Sequence, residues 1–136
     1  MRNDAVHQSQ FVYLNGCSTP VLSRLAYTTA EPFTVALAFR IEPGEWVEWE
    51  FARDLLITGL TEPAGIGDVR VRPDLSLDEG ILVLELESPD GYAVVELGRD
   101  DVARFVQATT EFVAPGAESE HLDLDSLIAD LTAARP

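Results

Sequence analysis

Arg53 and Asp54 stand together in "WEFARDLLITGL", Trp49 to Leu60, where an alternating apolar stretch passes into one with helical spacing. A carboxylate tuned by a neighbouring guanidinium suits general acid or base catalysis, provided that a histidine or second carboxylate shares its cleft. The same pair can instead start a helix. An aspartate in the first turn accepts from free backbone N–H groups and meets the positive end of the helix dipole, worth about 0.3 to 1 kcal/mol at an exposed site. The structural role is the stronger reading, because Arg99 and Asp100 open a second helix-like stretch in the same way.

Other chemical candidates are weaker. His7 and His121 lie far apart, with neither HExxH spacing nor a cysteine beside them to complete a metal site. The chain has no GxSxG elbow for a serine nucleophile, and Cys17, its one cysteine, falls in a turn where a thiol is more often filler than catalyst. "GIG", Gly65 to Gly67, precedes a strand, whereas a dinucleotide-binding loop must precede a helix. "DLDSLIAD" spaces Asp123 and Asp125 like the opening of a calcium loop, but Leu127 and Ile128 occupy the next ligand and glycine positions. No cofactor or metal is expected.

Composition narrows the partners. Twenty-four acidic residues against nine basic ones give a net charge of -15, spread along the chain. Long-range repulsion from phosphates therefore disfavours nucleic acid and anionic membranes. All nine basic residues are arginine, which removes Schiff-base lysine chemistry and the lysine of a P-loop. A single cysteine allows no internal disulfide, and "MRNDAVHQSQ" lacks the apolar run of a secretory signal, so a cytoplasmic setting is expected. No apolar stretch approaches the roughly 18 residues of a membrane span. The 136 residues fit one domain, and 46% hydrophobic content supports an ordinary core.

The elements that would position these residues alternate in type. Two strands are expected between Ser9 and Tyr27, broken by the turn "NGCSTP". "EPFTVALAFRI" and "WVEWEF" form a hairpin around "EPGE", a type II turn sequence, with Val35, Leu37, Phe39 and Ile41 on one face of the first strand and Val47, Trp49 and Phe51 inward from the second. A short helix follows over Ala52 to Leu60, then a strand in "DVRVRP" with Val69 and Val71 inward. "ILVLELE" and "YAVVELG" make a second hairpin, whose Pro89, Asp90 and Gly91 suit a type I turn with a bulge. Helices are expected from Arg99 to Val113 and from Asp123 onward.

The two hairpins are related. A shift of 46 positions lays Pro43 on Pro89, Trp46 on Tyr92, Glu50 on Glu96, Arg53 on Arg99 and Asp54 on Asp100. The first strands fail to match, since Phe39 falls on Glu85, and an extra bulge residue at the second turn would restore their parity. Both halves then read as strand-rich units closed by a helix in one α+β domain. Trp46 and Tyr92 share the outward face of their hairpins. They either contact another protein or lie under a second layer.

"YTTAEPFTVALAF", "WVEWEFARDLLITGL", "PAGIGDVRVRP", "LELESPDGYAVVEL", "RFVQAT" and "VAPGAE" follow one another in the order and spacing of the SsgA-like proteins of filamentous actinobacteria. On these motifs the chain resembles that family over nearly its whole length, as a single SsgA-like domain spanning 1–136 and similar to its SsgB member. The amino terminus, the "DLSLDEG" loop and the last helix match least. The resemblance implies two antiparallel sheets with helices in a fold like that of the Whirly and guide-RNA-binding proteins, assembled as a bell-shaped homotrimer. It further implies a non-enzymatic regulator of sporulation-specific cell division, located in the cytoplasm at the septum. FtsZ and other SsgA-like or division proteins would be its partners. Single-stranded nucleic acid stays a rival ligand through the Whirly likeness, opposed by the charge. Trp46, Arg53, Asp54, Asp68 and Arg70, taken from the matching motifs, are the candidate contact or family-motif residues.

Overall fold

A computed structural model describes residues 4–74 and 80–121. The helix expected from Asp123 lies outside the described residues. Seven strands run in chain order as β1 (Ala5–Leu14), β2 (Val21–Thr28), β3 (Thr34–Glu42), β4 (Glu45–Ala52), β5 (Val69–Pro73), β6 (Ile81–Ser88) and β7 (Gly91–Gly98). Helix α1 (Arg53–Gly59) follows β4 and α2 (Arg99–Phe112) follows β7, with a short 3-10 turn at Glu118–His121. Every expected element within the described residues is present.

The strands form one antiparallel sheet in the order β4-β3-β2-β1-β7-β6-β5, where two sheets were expected. The length of β1 accounts for the difference. It pairs with β2 from Ala5 to Val12 and then passes to β7 for only Tyr13 and Leu14, so two subsheets share one strand at a narrow seam. Asn15, at φ 52°, extends the seam by a side chain: its Oδ1 accepts from Val94 N at 2.9 Å while its own N–H donates to Val94 O at 2.7 Å.

Period-two patterning decides which face is buried. Val12, Leu25, Val35, Leu37, Phe39, Phe51, Val71, Leu82, Leu84, Val95 and Leu97 point to the face that packs against Leu56 of α1 and Val102, Phe105 and Val106 of α2. The first hairpin departs from the expected inward set at its far end. Phe51 is buried and Trp49 half-buried, but Val47 is exposed, and so is Ile41, which the alternation put on the face of Val35, Leu37 and Phe39 and which sits in an irregularity of the pairing between Arg40 and Glu42.

The internal repeat is real, and its irregularity lies elsewhere than expected. Gly44, at φ 83°, takes the left-handed position that a type II turn requires in the first hairpin. The register of that hairpin then shifts between Arg40 and Glu42, so the bulge belongs to Ile41, whereas β6 and β7 pair without a break up to Ser88 and Gly91. With Ile41 set aside, Leu25, Leu37 and Trp49 face one another across β2, β3 and β4 as Val71, Leu84 and Val95 do across β5, β6 and β7. The parity of β3 and β6 is thereby restored, with Phe39 answering to Leu86. Both helices also begin alike: Arg53 N donates to Phe33 O and Arg99 N to Gly80 O, each at 2.8 Å.

Candidate functional site

Arg53 follows directly from β4, and its position at the start of α1 aims the side chain across the core toward the end of α2. It is only 1% exposed. Nη1 donates to Val113 O at 2.7 Å and, more weakly, to Thr109 O at 3.4 Å, while Nη2 meets Glu118 Oε2 at 2.9 Å. The guanidinium also lies 5.1 Å from the centroid of the Tyr27 ring, whose hydroxyl donates to Pro32 O. A cation placed on the last carbonyls of a helix satisfies acceptors that have no partner within the helix and meets the negative end of its dipole. The hydrogen bond from Arg53 holds the Glu118 carboxyl below the usual carboxylate range, with further donation from backbone N–H groups, including Gly116.

Arg99 does for α1 what Arg53 does for α2. Its Nε donates to the carbonyl of Leu60, the C-cap of α1, at 2.9 Å. Each helix therefore opens on an arginine that closes the other. Asp54 plays a smaller part than its position led us to expect. It is exposed, and the N-cap residues Ala52 and Gly98 make no side-chain cap hydrogen bond. Only the dipole of a first-turn carboxylate remains to it.

Asp68 and Arg70 belong to a second place, on the face of the sheet that the described helices leave uncovered. The carbonyl of Asp68 accepts from Glu87 N at 2.8 Å and so ties the entry of β5 to β6. Arg70 donates to Glu85 Oε2 through Nη2 at 3.2 Å and Nε at 3.3 Å, and through Nη1 to Glu87 Oε1 at 3.2 Å and Gly67 O at 2.9 Å. Arg72 Nε and the Tyr92 hydroxyl also donate to Glu85. Burial works to raise the Glu85 carboxyl, but donation from Tyr92, Arg72 and Arg70 carries it below its ordinary value. Half-exposed ion pairs of this kind add little stability. They do fix the orientation of Tyr92, which stays 55% exposed.

Trp46 occupies a third place, at the tip of the first hairpin. It is 41% exposed, with the Arg24 guanidinium 5.3 Å from its ring centroid. Ile41 and Val47 beside it are also exposed, and Phe11 and Tyr13 of β1 show their rings on the same uncovered face. Of the two expectations for Trp46 and Tyr92, exposure is what the described residues show. The five candidate residues thus fall into three places rather than one cleft. Sequence reasoning missed Glu118, the buried partner of Arg53, because nothing distinguishes it among 24 acidic residues.

The described residues hold no group of three or more His, Cys, Asp or Glu side chains placed to bind a metal ion. What the uncovered face offers is aromatic surface and oriented charge, the chemistry of contact with another macromolecule.

A family model described as Streptomyces sporulation and cell division protein, SsgA, matches residues 21–118. The chain belongs to this family. It is 48% identical to sporulation-specific cell division protein SsgB of Salinispora tropica over 118 residues, covering 85% of this chain and 82% of that one. It is 42% identical to SsgB of Streptomyces coelicolor, covering 85% of each chain. Its fold is similar to a solved structure described as SsgB of Streptomyces coelicolor, with a TM-score of 0.82 and 39% identity over 88% of this chain and 97% of that one. The crystal structure of an SsgA-like sporulation-specific cell division protein from Thermobifida fusca gives the same TM-score at 31% identity, over 94% and 96%. This SsgA-family chain therefore has the α+β fold of its relatives and a role in sporulation-linked cell division. No described helix is long and apolar enough to cross a membrane.

Proposed function

We propose that this chain is a non-enzymatic regulator of sporulation-specific cell division. It acts in the cytoplasm at the septum, where it recruits or positions FtsZ through direct protein contacts. The observation that carries the reading is 48% identity to an SsgB protein over most of both chains. The exposed Trp46, Phe11, Tyr13 and Tyr92 support contact with proteins, since large exposed apolar side chains gathered on one face mark interaction surfaces. A homotrimer of Whirly-like subunits is the assembly we propose, with partners among FtsZ and other SsgA-like or division proteins. Trp46, Asp68 and Arg70 are the proposed contact residues, and Arg53 and Asp54 serve the fold.

The test is co-sedimentation of the purified chain with FtsZ polymers, alongside its mass by light scattering. Capture by FtsZ at the mass of three chains supports the proposal. Trp46→Ala should weaken capture about tenfold or more, the effect of losing an aromatic anchor worth about 2 kcal/mol. Failure to bind FtsZ or any sister SsgA-like protein, with retardation of single-stranded DNA instead, would sink it.

A further inference from the structure

On the uncovered face, one row of side chains builds a hollow. His7, Ala26, Ala36 and Glu50 are register partners across β1, β2, β3 and β4. Two methyl groups stand between an imidazole and a carboxylate, so the row dips in the middle, and Ala5 and Glu31 also line the hollow. Its volume is about 130 Å³. Small-molecule sites begin near about 300 Å³, so this one holds a single side chain rather than a cofactor. Neither Glu31 nor Glu50 has an ion-pair partner among the described residues.

The repeat puts an arginine at the matching position of the other half. Its register carries Ala26 to Arg72, Ala36 to Val83 and Glu50 to Glu96, and these three are again partners across β5, β6 and β7. They line the second depression on this face, so the two depressions are repeat-related places. In the second, the chain supplies its own guanidinium: Arg72 borders Val83 and sends Nε to within 3.3 Å of Glu85 Oε1. In the first, alanine stands where that arginine would be; Glu50 keeps the place of Glu96, whereas Glu85, the acid that Arg72 meets, answers to Ala38.

We propose that the hollow receives an arginine side chain presented by a partner protein. The arginine stem lies on Ala26 and Ala36, and its guanidinium meets Glu50 and Glu31. A planar fork suits two carboxylates better than an ammonium does, and the long aliphatic stem suits an alanine floor. The net charge of -15 draws basic partners toward the molecule. Exposed Phe11 and Trp46 on the same face give the rest of a partner polypeptide apolar surface to cover. The inference goes beyond the family role and does not depend on which division protein binds.

A titration of the ¹⁵N-labelled full chain with acetyl-Gly-Arg-Gly-amide, followed by NMR, tests it. Saturable shifts centred on the amides of His7, Ala26, Ala36 and Glu50 are expected, absent with the norleucine peptide and weaker with the lysine peptide. Glu50→Gln should weaken binding about fivefold. Ala26→Arg, which copies the second half into the first, should abolish it while the spectrum stays that of a folded protein. Equal response to the norleucine or lysine peptide, no saturable shift at millimolar peptide, or full binding by Glu50→Gln would overturn the assignment. None of these outcomes bears on FtsZ capture, so the two proposals fail separately.

Discussion

Arg53 shows how a motif can be informative and still misread. Its place after a strand and before apolar residues at helical spacing was plain in the sequence, and a structural role followed. The partner was not legible, because Glu118 is one acid among many and lies 65 residues away. Emphasis on Asp54 was misplaced for a physical reason: α1 starts directly from β4, and Arg53 N is already satisfied by Phe33 O. The buried pair sets a pH dependence. The carboxyl of Glu118 is lowered on folding, so its contribution is present above the unfolded value, about 4.3, and is lost as pH falls through the folded value. Glu118→Ala should cost about 3 kcal/mol or more at pH 7, by leaving a buried guanidinium unpaired. Urea denaturation should show that the gap between the variant and the parent protein narrows below pH 4.

The elements were largely legible because alternation and turn chemistry agree along the chain. Strands, hairpins and both described helices could be read from residues such as Val35, Leu37 and Phe39 on one face and Pro43 and Gly44 at a turn. The bulge could not be assigned by comparing the halves, since one extra residue in either hairpin explains the same broken parity. The structure gives it to Ile41, whose side chain is exposed at the projecting tip. Deleting Ile41 should make the first hairpin as regular as the second and cost less than about 1 kcal/mol, because no core contact is lost. Cross-strand proton contacts between Arg40 and Trp46 should survive the deletion. Their loss would mean that the bulge sets the register rather than interrupting it.

The whole molecule adds what neither scale contains. Joining of the two subsheets through β1 was not foreseen, because a strand's second partner leaves no mark on its own alternation. Net charge acts at this scale too. With -15 spread over one domain, self-repulsion opposes compactness, and salt shortens the Debye length from about 30 Å at 0.01 M to about 8 Å at 0.15 M. The midpoint of thermal unfolding should rise over that range, and a flat response would show that surface arginines already neutralise the field locally. The exchanged caps have a consequence for dissection of the chain. Arg53 terminates α2 and Arg99 terminates α1, so neither half owns a complete set of helix ends. Cleaved in the segment between α1 and β5, the molecule should yield two fragments that are unfolded alone and regain the native circular dichroism only when mixed, a complementing pair rather than two small domains.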